Sequence, residues 1–257
     1  MKYSVCIDAV FMKKGSFAEA MKKTKEAGYQ AIEFWTWWDK DMELLQKTKN
    51  DLELEVATFC TKFVNPGDRE LQAEYLQGLR ESISMAKGLD CPTLIGQAGW
   101  EFDSFKKEIT RKQHRAAFLD TMKRAAEILE KENMNLVIEP LNLLVNHPGY
   151  HLSTSGDAFE VIDKIGSPRV KVLFDIYHQQ ITEGNLIRNI TENIDKIGHF
   201  HAAGNPGRNE VTKGEINYRY VFEAISKTSF DGFIGLEYMT DGDPVPGLVE
   251  AREKILV

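Results

Sequence analysis

A chain of 257 residues with 42% hydrophobic residues holds enough apolar material for one full-sized core, which excludes a disordered or low-complexity protein. The formal net charge of −7, with no long run of lysine or arginine, excludes the basic footprint that binding a nucleic-acid backbone requires. Cys6, Cys60 and Cys91 are too few and too scattered for a disulfide framework, and no stretch approaches the length of a membrane span, so a soluble protein of the reducing cytoplasm is expected. In chain order, Tyr3 to Ala9 reads as a strand, and a helix follows from Ser16, with Ser16 as N-cap, Glu19 completing a capping box and Gly28 as the stop. Gln30 to Trp35 and Leu54 to Cys60 are the next strands, with helices at Lys40 to Asn50 and Glu70 to Lys87. Pro92 to Gly96 is a short fourth strand before a helix over Lys112 to Lys131.

The second half repeats the rhythm. Strands are predicted at Asn135 to Glu139, Val170 to Asp175, Gly198 to His201 and Gly232 to Glu237. Their helices follow at Ser155 to Ile165, Leu186 to Ile194, Tyr218 to Lys227 and near Leu248 to Ile255. Eight strands alternating with helices predict parallel βαβ units closed into a (β/α)8 TIM barrel, and no linker or composition shift divides residues 1–257 into more than one domain.

In this second half each strand ends on a side chain able to bind a metal: Glu139, Asp175, His201 and Glu237. Active sites of such barrels lie at the C-terminal strand ends, and neighbouring strands are about 4.8 Å apart, so four consecutive ends can converge on one ion. Three carboxylates and an imidazole suit Mn²⁺ or Mg²⁺, with Co²⁺ or Zn²⁺ as alternatives. Buried acids at strand mouths are costly unless paired or coordinated, which favours ligation over four separate capping roles. His178, three residues after Asp175, is expected to reach a substrate oxygen, and Arg208, with Lys213, to form an anion clamp on the loop after strand seven. Trp35, Trp37, Trp38, Phe63 and Trp100 are expected to wall the pocket; Cys60 reads as packing, and Glu33 as a residue behind the ligands.

The segments Ile138-Glu-Pro-Leu-Asn142, Phe174-Asp-Ile-Tyr-His178, Gly198-His-Phe-His201, Asn205-Pro-Gly-Arg208, Gly214-Glu-Ile-Asn-Tyr218 and Ile234-Gly-Leu-Glu-Tyr238 resemble the xylose isomerase-like barrel superfamily. Within it they are similar to the hydroxypyruvate isomerases. The resemblance implies that Glu139 and Glu237 are an acid/base pair, that Asp175 and His201 complete the metal shell, and that His178 and Arg208 meet the substrate. His201 departs from the pattern, since hydroxypyruvate isomerases often have glutamine there and ketose 3-epimerases have histidine. The Pro-Gly-Arg loop points the other way.

The expected activity is therefore a metal-dependent isomerisation of a small hydroxy-oxo acid by proton transfer through an enediolate. A ketose 3-epimerase or another free-sugar isomerase or epimerase is the alternative, and a polyol dehydratase a more distant one. A small molecule is the expected partner, with nucleic acid and membranes excluded and homo-oligomerisation left open.

Overall fold

The computed structural model describes residues 1–100 and 110–256. Eight strands run in parallel: β1 (Lys2–Cys6), β2 (Ala31–Phe34), β3 (Glu55–Cys60), β4 (Thr93–Gly96), β5 (Asn135–Ile138), β6 (Val170–Asp175), β7 (Ile197–Ala202) and β8 (Phe233–Leu236). Each pairs with its sequence neighbour, and β8 returns to pair with β1, so the sheet closes as the predicted (β/α)8 barrel.

The helices are α1 (Ile7–Val10), α2 (Phe17–Glu26), α3 (Met42–Asp51), α4 (Gln72–Gly88), α5 (Arg111–Glu132), α6 (Ser155–Ile165), α7 (Ile176–Thr182), α8 (Leu186–Glu192), α9 (Tyr218–Ser226) and α10 (Pro244–Lys254). Their ends follow local chemistry. Ser16 and Glu19 form the predicted capping box of α2, Thr110 and Gln113 form a second on α5, and Gly166 ends α6 in the left-handed conformation. No helix among the described residues is long and apolar enough to cross a membrane.

Two short helices were not expected. The run Tyr3 to Ala9 breaks at Cys6 into α1, where buried Ile7 and Val10, three residues apart, share one face of a helical turn, whereas Val5, Ile7 and Ala9 alternate as a strand would. The turn brings Asp8 to the end of β2, where its carboxylate accepts the Trp35 backbone N–H at 2.8 Å and the Lys40 ammonium at 2.9 Å. Helix α7 starts directly after β6, capped by Asp175, whose carboxylate accepts the His178 N–H at 3.1 Å.

Alternation along the strands sorts side chains between two faces. Leu136, Ile138, Val172, Phe174, Phe200, Ile234 and Leu236 join the large core between barrel and helices. Val137 and Leu173 instead form a separate small cluster with Cys60 and Ile95, packed against Trp35. Glu139, Asp175, His201 and Glu237 each stand two residues beyond Val137, Leu173, His199 and Gly235, so they continue this inner face at the C-terminal ends of β5 to β8.

Candidate metal centre and active site

The four side chains predicted to converge do so. Single ligand atoms of Glu139, Asp175, His201 and Glu237 lie within 4.8 Å of one another. His201 Nδ1 is 3.6 Å from Glu139 Oε1 and 3.4 Å from Glu237 Oε2, beyond a good hydrogen bond in both cases. His201 Nδ1 and Glu139 Oε1 are buried and have no hydrogen-bond partner. Buried polar atoms are normally satisfied, so orphaned donors facing one point fit a shared cation. The donor set, three carboxylates and one imidazole, fits a hard or borderline divalent ion such as Mn²⁺ or Mg²⁺.

The two glutamates differ sharply in environment. Burial raises the Glu139 carboxyl to about 7 against the favourable contact with His201. Burial also acts on Glu237, but the charges of His201 and Arg208 outweigh it and hold that carboxyl well below the ordinary carboxylate range. Both Glu237 oxygens are engaged: Oε1 accepts the Trp35 indole N–H at 2.6 Å, and Oε2 is paired with the Arg208 guanidinium. Environments that separate two carboxyls in this way are suited to an acid and a base.

His178 lies beside this pair. Asn142 donates to its Nδ1 from the backbone N–H at 3.3 Å and stands 2.6 Å from it through the side-chain amide, which assigns the ring proton to Nε2. That Nε2 is buried without a partner, 3.6 Å from Asp175 Oδ2. Burial lowers the imidazole to about 4, so a neutral ring offers one N–H to a bound molecule.

A cavity of about 300 Å³ opens over these groups, within the range of small-ligand sites. Its lining includes Glu139, His178, His201, Arg208 and Glu237 on the polar side, and Trp35, Phe63, Trp100, Leu141 and Tyr150 on the other. The aromatic wall is thus partly as predicted. Trp37 turns away to bond Ser82 at 3.1 Å, and Trp38 packs edge-on against Trp37 and Phe63. Lys213 does not join Arg208 as a clamp; its exposed ammonium pairs with the buried Glu210 at 2.9 Å, and the residue lines a different cavity. Arg208 faces the site from a left-handed backbone with φ 55°, its carbonyl tied to the Met239 N–H at 2.7 Å and its guanidinium 5.6 Å above the Tyr177 ring.

Two contacts at the site carry no clear sequence signal. Trp35 meets Glu237 across the barrel mouth, a contact that only closure creates. His147, on the loop after β5, lines the cavity with its ring 5.2 Å from that of His178. The Asn-His-Pro-Gly turn that carries it reads simply as a loop.

Among known proteins, a hydroxypyruvate isomerase of Escherichia coli (strain K12) is 32% identical over 240 residues, covering 90% of this chain and 91% of the relative. A crystal structure described as an AP endonuclease of family 2 from Brucella melitensis superposes with a TM-score of 0.87 at 25% identity, over 99% of this chain and 100% of that one. A D-psicose 3-epimerase from Clostridium cellulolyticum H10, solved with D-tagatose, gives a TM-score of 0.78 at 17% identity over 99% and 91% of the two chains, a likeness of fold. The family described as xylose isomerase-like TIM barrel matches residues 21–256. With that match over nearly its whole length, and a closed barrel bearing the ligand cluster at its C-terminal mouth, the chain belongs to the xylose isomerase-like TIM barrel family.

Proposed function

We propose that this protein is a metal-dependent isomerase or epimerase of a small polyhydroxy-carbonyl compound, working by proton transfer through an enediolate. The observation that carries the reading is the convergence of Glu139, Asp175, His201 and Glu237 within 4.8 Å at the barrel mouth, with Glu139 and Glu237 both facing His201 Nδ1. A divalent ion held by Glu139, Asp175, His201 and Glu237 would supply Lewis-acid polarisation of the substrate carbonyl. Glu237, kept ionised by Arg208 and Trp35, removes the proton from the carbon beside the carbonyl, and the C–H electrons move into the enediolate. Glu139, which also faces His201 Nδ1, returns a proton, and the two exchange roles in the reverse direction. His178 donates its Nε2–H to a substrate oxygen, and the aromatic wall limits water at the reacting carbon.

For the substrate we favour a free sugar, as in a ketose 3-epimerase or a related sugar isomerase. The Arg208 guanidinium is already balanced by Glu237, and Trp35, Phe63, Trp100 and Tyr150 offer flat apolar faces to the C–H surfaces of a sugar. A hydroxy-oxo acid is the second reading. Arg208 Nε is buried without a partner and could still engage a carboxylate, and the Escherichia coli relative is named a hydroxypyruvate isomerase.

Arg208→Ala separates the two when Mn²⁺-loaded protein is assayed with free ketoses, hydroxypyruvate and four-carbon oxo acids. For a sugar enzyme the variant is expected to lower kcat, because Glu237 loses its counter-charge, while KM for ketoses changes little. A rise in KM confined to the oxo acids would assign Arg208 to a substrate carboxylate and favour the second reading.

A further inference from the structure

Behind the ligand cluster, on the same inner face, the barrel lumen holds a second buried polar group that the chemistry above does not use. Glu33 on β2 is 1% exposed. Its Oε2 accepts from His199 Nε2 at 2.8 Å and lies 3.5 Å from His201 Nε2. Its Oε1 and His201 Nε2 are both buried without a hydrogen-bond partner. Strand β2 is not a neighbour of β7; β1 and β8 stand between them in the closed barrel. The carboxylate therefore reaches His201 through the lumen.

Gly235 makes this reach geometrically feasible. It pairs with His201 in the register of β7 and β8, and its Cα faces the lumen. A Cβ built there would fall 1.7 Å from Glu33 Oε1, so any side chain at 235 would expel the carboxylate from behind the imidazole. A buried carboxylate is costly unless it is paired, and here its close partners are two imidazoles, of which one has its other nitrogen among the three metal-binding carboxylates.

We propose that Glu33, anchored by His199, is a positioning residue for the metal site: it faces the Nε2 side of His201, so that this nitrogen carries the proton and Nδ1 presents its lone pair to the point shared with Glu139, Asp175 and Glu237. An imidazole ligand is normally fixed in ring orientation and tautomer by what its other nitrogen meets. His199 holds Glu33 at the required height through its 2.8 Å hydrogen bond, one inner-face step below His201. The inference rests on the metal-site reading of the four side chains.

The test measures Mn²⁺ binding to chelator-stripped protein by electron paramagnetic resonance for the unaltered chain, Glu33→Gln and Glu33→Leu, with circular dichroism as the check on folding. The unaltered chain is expected to bind one ion. Glu33→Leu should weaken binding about 10–100-fold, the usual effect of losing such an outer partner. Glu33→Gln should weaken it less, because its amide oxygen still accepts one imidazole N–H. If Glu33→Leu does not fold, nitrogen NMR of ¹⁵N-histidine-labelled, Zn²⁺-loaded unaltered protein decides, with His201 expected to carry its proton on Nε2. Unchanged affinity in both variants, a proton on His201 Nδ1, or a second bound ion per chain taking Glu33 and His199 as ligands would each overturn the inference while leaving the four-residue site standing. Failure of the unaltered chain to bind Mn²⁺ would overturn both.

Discussion

Glu139→Gln and Glu237→Gln should each lower kcat by at least about 10²-fold at saturating Mn²⁺, the lower end of what general acid/base groups contribute. Glutamine keeps the shape of the side chain but cannot carry the proton. At 237 an amide oxygen can accept from only one of Trp35 and Arg208, so the substitution removes both the basicity and one of the two contacts that Glu237 now makes. At 139 the change removes the second carboxylate facing His201, the group that gives and takes the other proton. Turnover in D₂O extends the test, because a carboxylate that exchanges with solvent places deuterium on the reacting carbon. Near-normal activity of either variant, with full retention of substrate hydrogen in D₂O, would remove the two-carboxylate mechanism.

Asp175→Asn should weaken metal binding by more than the roughly 10–100-fold typical of an outer partner, and activity should fall with it. The substitution isolates ligation from folding. Asp175 also caps α7 by accepting the His178 N–H, and an asparagine oxygen can make the same bond, so the helix and His178 should stay in place. What is lost is the negative charge. Chelation should abolish the activity of the unaltered chain and added Mn²⁺ should restore it; an Asp175→Asn protein with unaltered Mn²⁺ affinity would show that this carboxylate is not a ligand.

The barrel and the four converging side chains were legible because both depend on local signals. Strand alternation, capping residues such as Ser16 and a ligand-type residue at the end of β5 to β8 are all visible within a few positions of sequence. Helices α1 and α7 escaped because each follows its strand with no intervening loop, its N-cap being the last strand residue. Trp35, Glu33 and Arg208 are expected at or behind the site, but the particular contacts they make escaped for a different reason. Trp35 to Glu237, Glu33 to His201 and Arg208 to Glu237 join residues 202, 168 and 29 positions apart, set by barrel closure and by the course of one loop. Lys213 shows the same limit, since sequence proximity to Arg208 could not say that its ammonium would turn to Glu210.

A crystal of the protein soaked in Mn²⁺ tests the central claim most directly, because anomalous scattering locates manganese without reference to any substrate. One peak per chain is expected, bounded by His201 Nδ1 and carboxylate oxygens of Glu139, Asp175 and Glu237, the atoms that already lie within 4.8 Å of one another. No manganese among these four side chains in a fully soaked crystal would contradict the account.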